Sequence, residues 1–192
     1  MHCGIVLTGD TDDDSSVAFL DDGAVETFSV ATNDDILALV EERRPSVVAL
    51  NAAPERSTGT EDRDATSTES SLDPETASQF RSGEEDLVAE GHALLPQGMR
   101  ERAVLERADH LARSIEAAGV GTQVIESNAR IASERLGLEG DADLERFGID
   151  TADIATVWEY DAVVLAIVAR LHADNRCEEY GIVVPPEDVE AI

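Results

Sequence analysis

Two unbroken apolar runs stand near the start of the chain, Ile5-Val6-Leu7 and Val47-Val48-Ala49-Leu50. Runs without alternation suit strands covered on both faces, as the central strands of a parallel sheet are. They predict strands over residues 4–8 and 47–50. Between them, residues 17–20 and 24–30 read as two more strands joined by Asp21-Asp22-Gly23, whose Asp-Gly pair supplies the positive φ of a tight hairpin. Asn33 reads as an N-cap. Asp34 and Asp35 follow in the first turn, where carboxylates suit the helix dipole, and Ile36, Leu37, Leu39 and Val40 carry the helix to Arg43-Arg44-Pro45. A helix placed there is the crossover that a parallel strand pair demands.

Residues 55–76 are rich in Ser, Thr, Asp, Glu and Gly, with Leu72 as the sole sizeable apolar side chain, and read as a disordered or mobile acidic loop. Asp73-Pro74 then opens a helix running towards Glu90. From about residue 97 a stronger helix sets Val104, Ala108, Leu111 and Ile115 on one face and is closed by Gly119. A strand over 122–126, a short helix over 129–136, a further helix capped by Asp141 and a long one over 153–173 complete the order, with Ile182-Val183-Val184 as a short extended piece. The succession βββαβ, helical insertion, βα predicts a single α/β domain over 1–192. Its expected sheet is mixed and five-stranded, of order 3-2-1-4-5, flanked by helices in the ribonuclease H-like layout.

Charge alters the setting more than the architecture. Forty-two acidic residues face 14 basic ones, all of them Arg, for a net charge of -28 spread from end to end. Such a surface repels itself at ordinary ionic strength. Near 1 M salt the Debye length falls to about 3 Å, the repulsion is screened, and a lysine-free acidic surface suits the cytoplasm of an extreme halophile. High salt also removes most of the counterion-release gain of phosphate contacts, so nucleic acid as a partner gets weak support from charge. Met1-His2-Cys3-Gly4-Ile5-Val6 has no charged-then-apolar signal pattern, and the apolar run at 162–169 is far short of the ~20 residues of a membrane span. Cys3 and Cys177 are expected to be inert thiols, because no metal-ligand spacing accompanies His2 and Cys3.

Candidate chemistry lies with two carboxylates. Glu126 ends the apolar run Val124-Ile125, and Asp161 precedes Ala162-Val163-Val164-Leu165-Ala166-Ile167-Val168-Ala169. A carboxylate against a buried face costs several kcal/mol unless cations or donors compensate it. Bland roles are open to both: Glu126 can pair with Arg130, and Asp161 can cap or bond within its helix. Trp158, Tyr160 and Phe147 read as packing groups and His172 as a surface residue. No Gly-rich phosphate loop and no Gly-x-Ser-x-Gly elbow occurs.

Four segments together resemble a family of predicted nucleases of ribonuclease H-like fold, domain of unknown function 429. They are Gly4-Ile5-Val6-Leu7-Thr8-Gly9, Val47-Val48-Ala49-Leu50-Asn51-Ala52-Ala53-Pro54, Val124-Ile125-Glu126-Ser127-Asn128 and Tyr160-Asp161-Ala162-Val163. The resemblance implies an acidic quartet, with carboxylates where this chain has Val6 and Asn51, so that Glu126 and Asp161 alone are kept. Two-metal phosphodiester chemistry holds two divalent ions about 3.5–4 Å apart, and four carboxylates balance their charge. Two carboxylates and waters can hold a single Mg²⁺ or Mn²⁺, with Asp10 or Glu55 as a substitute ligand. Three readings follow: a degenerate homologue, weakly active or inactive, that acts by binding; an active nuclease using Glu126, Asp161 and Asp10; and a non-catalytic module whose 97–118 helix or sheet edge forms a homo-oligomer contact.

Overall fold

In the computed structural model, residues 1–9, 14–51, 80–81, 83–152, 154–187 and 189 are described. The run expected to be covered on both faces is the central strand β1 (His2–Val6), in which Ile5 and Val6 are fully buried. It pairs antiparallel with β2 (Ser15–Asp21), which pairs antiparallel with β3 (Ala24–Val30). Asp22 and Gly23 form the turn, both at positive φ (49° and 88°). On its other side β1 runs parallel to β4 (Val47–Asn51), and β4 parallel to β5 (Gln123–Ser127). The order β3-β2-β1-β4-β5 is the ribonuclease H-like sheet.

Helix α1 (Asn33–Arg43) makes the crossover, but Thr32 caps it rather than Asn33. The Thr32 hydroxyl accepts from Asp35 N–H at 3.1 Å, while Asn33 Oδ1 accepts from Arg107 at 2.7 Å. Of the expected 73–90 helix, residues 73–79 lie outside the described residues, as does the 55–76 loop. The described part is the short helix α2 (Glu84–Ala89). A 3₁₀ turn at Gln97–Met99 leads into α3 (Arg102–Ala118), whose buried residues are Val104, Ala108, Leu111 and Ile115, the predicted face. Then come α4 (Ala129–Leu136), α5 (Asp141–Leu144) and α6 (Val157–Ala173). Gly140, not Asp141, stands at the N-cap of α5. The carboxyl-terminal extended piece pairs as a small hairpin, β6 (Glu178–Glu179) with β7 (Val183–Val184).

Side-chain alternation divides the core in two. Val6, Ala18, Leu20, Val47, Ala49 and Ile125 face α6, which buries every residue from Ala162 to Ala169. Cys3, Ile5, Leu7, Val17, Phe19, Val48 and Leu50 face α1 and α3 on the other side. Each fully buried Val, Leu or Ile contributes about 1.5–3 kcal/mol, so the two layers together dominate the fold. A third cluster, Leu87, Leu94, Ile131, Ile182 and Val184, joins α2, α4 and the β6–β7 hairpin. No helix among the described residues is long and apolar enough to cross a membrane.

Helix α6 starts four residues later than the apolar pattern suggests because a capping box fixes it. Thr156 Oγ1 accepts from Glu159 N–H at 3.2 Å, and Glu159 Oε2 accepts from Thr156 N–H at 2.9 Å and Ala155 N–H at 2.8 Å. Thr156→Ala is expected to cost about 1 kcal/mol, read as a lower urea midpoint at unchanged slope.

Candidate functional site

Ligands of open α/β sheets bind outside the carboxyl ends of the parallel strands. Here the register sets Ile5 beside Leu50, Leu50 beside Glu126 and Asn51 beside Ser127. One residue beyond Ile5, Val6 closes the row. Parity puts Val6, Asn51 and Ser127 on the α6 face, and none of them carries charge. Val6 is 1% exposed within the apolar core, Asn51 is 7% exposed and Ser127 is fully buried. Among the described residues Asn51 Oδ1 and Ser127 Oγ have no hydrogen-bond partner. Buried orphan groups cost about 1–3 kcal/mol each and are rare enough to mark a place of interest.

Glu126 has the parity of Val124, which packs towards α1 and α3, and its side chain is 41% exposed. The Arg81 guanidinium donates a charged hydrogen bond to Glu126 Oε2. Arg81 is itself held: its backbone N–H donates to Glu84 Oε2 at 3.0 Å. Glu84 is fully buried in a bidentate pair with Arg100, at 3.0 and 2.5 Å, and Arg100 Nε donates to Leu95 O at 2.9 Å. The chain Arg100, Glu84, Arg81, Glu126 thus fastens the 80–100 segment to the end of β5. Neither Arg81 nor Glu84 was singled out from the sequence.

Asp161, half-buried near the start of α6, lines a cleft of about 540 Å³. Its other walls are Arg130 and Ser133 of α4, Leu138 to Gly140, Ile154 to Val157, and Tyr160. Glu126 lines a different cleft of about 290 Å³, with Ile125, Glu179, Gly181, Ile182 and Val183. The two acids therefore line different clefts, Asp161 from α6 and Glu126 from β5. Asp10 and Glu55 lie outside the described residues. Arg130 pairs with Glu134 at 3.0 Å rather than with Glu126. Burial pushes the Glu134 carboxyl up, but hydrogen bonds from His92 and Arg130 outweigh it and hold the group below its ordinary value.

A second guanidinium closes the end of β1. Arg107 donates to Thr8 O at 2.9 Å, Ala31 O at 2.9 Å and Asn33 Oδ1 at 2.7 Å, and burial pulls it below the ordinary guanidinium value. Among the described residues, no group of three or more His, Cys, Asp or Glu side chains is placed to hold a metal ion. Neutral strand ends, with a guanidinium already on Glu126, do not fit a pair of divalent cations.

The remaining candidates are simply placed. Phe147 is buried and Tyr160 partly so, whereas Trp158 is 42% exposed. His172 Nε2 lies 3.0 Å from Gln123 Nε2 at the surface. Both thiols are free; burial pushes Cys3 strongly upward and Cys177 up to about 12.

No family model matches the chain, and no curated protein matches it. Among solved structures it is similar to a Thermus thermophilus RuvC structure, at 14% identity over 95% of this chain and 98% of that one, with a TM-score of 0.42. The fold assignment rests on strand order and register.

Proposed function

We propose that this chain is a ribonuclease H-like domain of the predicted-nuclease type that has lost hydrolysis and acts by binding. One observation carries the reading: the row Val6, Asn51, Ser127 at the carboxyl ends of the parallel strands is uncharged. Hydrolysis by two metals needs oxygens that neutralise both ions and one that bridges them. Val6 supplies no donor, Asn51 and Ser127 supply neutral ones, and the charge of Glu126 is already answered by Arg81. A divalent ion brought to Glu126 would meet a positive charge at close range, a repulsion of several kcal/mol at an effective dielectric of about 20.

The expected result is no Mg²⁺- or Mn²⁺-dependent cleavage of single- or double-stranded DNA or RNA above the level of Asp161→Ala, at low salt or in about 2–3 M KCl. Millimolar Mn²⁺ is likewise expected to leave the melting temperature of both proteins unmoved, since a ligand shifts it only by binding the native state. Cleavage that appears with metal and vanishes in Asp161→Ala would overturn the reading.

A further inference from the structure

We infer that Arg81 is a tethered cation standing where the end of β5 would otherwise take a metal ion. This rests on the reading of the chain as a domain without hydrolysis and says what has replaced the ion. Glu126 is the one carboxylate on the three parallel strands β1, β4 and β5. One positive charge balances it, and Arg81 brings that charge permanently, since a guanidinium keeps its proton in a protein. A divalent ion in the same place would be left with a surplus charge, because Asn51 and Ser127 at the neighbouring strand ends are neutral. The charges at this end of the sheet therefore match a guanidinium and not a metal.

The backbone that carries this cation is held on both sides of it. Phe80 packs against the cluster of Leu87, Leu94, Ile131, Ile182 and Val184. Gly83, at φ 94°, presses on the hairpin so closely that a methyl there would stand 2.7 Å from the Tyr180 carbonyl carbon. Between them the Arg81 N–H donates to Glu84 Oε2 at 3.0 Å, and Glu84 is fully buried on Arg100. A group on a short flexible tether already has an effective concentration of roughly millimolar order, and a pinned one exceeds it. Free Mn²⁺ at millimolar concentration is therefore outcompeted in the parent chain. Arg81→Glu inverts the chemistry. The substituted side chain is shorter than arginine, so its carboxylate faces Glu126 across the space the guanidinium filled. Two carboxylates with water completing the shell are what a hard divalent ion takes.

The test is a thermal melt of the parent, Arg81→Glu, Arg81→Glu with Glu126→Gln, and Arg44→Glu, each with and without Mn²⁺. In about 1 M KCl the Debye length is about 3 Å, so diffuse attraction of the ion to the acidic surface is screened. Arg44 is exposed just before the amino end of β4, and its substitution makes the same charge change away from Glu126. A site with a dissociation constant of about 1 mM raises the melting temperature of a chain this size by about 3–6 °C at about 10 mM Mn²⁺. That rise is expected in Arg81→Glu alone, with the other three proteins moving by less than about 1 °C. If Arg81→Glu is unfolded without metal, Mn²⁺ is expected to restore its cooperative melt. No response of Arg81→Glu to Mn²⁺ would overturn the inference, as would an equal response in Arg44→Glu or in the variant that also lacks Glu126. Parent cleavage that vanishes in Asp161→Ala, beside the expected rise in Arg81→Glu, would defeat the non-hydrolytic reading and keep the tethered cation. No cleavage and no rise would do the reverse.

Discussion

Gly4→Ala is expected to destabilise the protein by about 3 kcal/mol or more, although it adds a single methyl group to a strand. Gly4 lies under α6, and a methyl there would overlap the carbonyl oxygen of Ala162 and the amide nitrogen of Ala166 and stand 2.7 Å from Leu165 Cβ. Two of those atoms are helix backbone, so relief requires the helix to move away from β1. That would open the contact along the buried face from Ala162 to Ala169. Overpacking in a well-filled core typically costs about 1–3 kcal/mol, and movement of a backbone element puts this case at or above the upper end. Two other glycines separate this cause from a general glycine effect. A methyl at Gly9 would overlap the Glu101 carboxylate, the far end of a flexible exposed side chain that can swing aside. A methyl at Gly98 meets nothing within 4 Å. In urea unfolding Gly9→Ala is expected to cost little and Gly98→Ala to stay within about 0.5 kcal/mol of the parent. A Gly4→Ala midpoint close to that of Gly98→Ala would show that α6 does not rest on β1 as described.

Most of the fold was legible in the sequence because its cues are local. The sheet order follows from local patterns: the apolar run of β1, the Asp22-Gly23 turn, the crossover α1, and the spacing of Val104, Ala108, Leu111 and Ile115. Each is written within a few residues. Element starts were less legible where neighbours offered the same chemistry. Thr32 and Asn33 can both cap α1, and the tie is broken by Arg107, which takes the Asn33 side chain from 74 residues away. The start of α6 depended on recognising Thr156 with Glu159, whose helical phase was hidden by the uniformly apolar stretch behind it.

The site was legible by residue type but not by orientation. Val6 and Asn51 could be read as uncharged, and the register sets Ser127 beside Asn51. Which face Glu126 takes could not be read, because Val124-Ile125 shows no alternation and parity needs the register of a neighbour. The cation that meets Glu126 was also beyond reach. With 42 acidic and 14 basic residues, every arginine has several sequence-plausible partners, and Arg81 finds one 45 residues away. Glu84, in the string Gly83-Glu84-Glu85-Asp86, looks like solvated surface. It is buried because Arg100 folds back onto it.

Arg100→Met should therefore be among the most damaging single changes outside the sheet, at about 3–5 kcal/mol, because it leaves the Glu84 carboxylate buried without its bidentate partner. Against a domain stability of about 5–15 kcal/mol, that is a large fraction of what holds the chain folded. The Arg81 guanidinium does not rescue it, since its Nε stands 4.0 Å from Glu84 and its Nη1 is committed to Glu126. Adding Glu84→Leu removes the stranded charge and is expected to recover most of the loss, as apolar replacement of a buried ion pair commonly does. Recovery should stop short of the parent, because the Arg81 backbone N–H then loses the acceptor it has at 3.0 Å. Salt supplies the internal control. Raising KCl should hardly change the coupling between Arg100 and Glu84, whereas the exposed Arg102–Glu106 pair, at 2.6 Å, should lose whatever it contributes. Urea unfolding of the two single variants and the double variant at low and high KCl measures this directly. A double variant no more stable than Arg100→Met would mean that the loss comes from missing packing around the arginine stem rather than from the uncompensated charge.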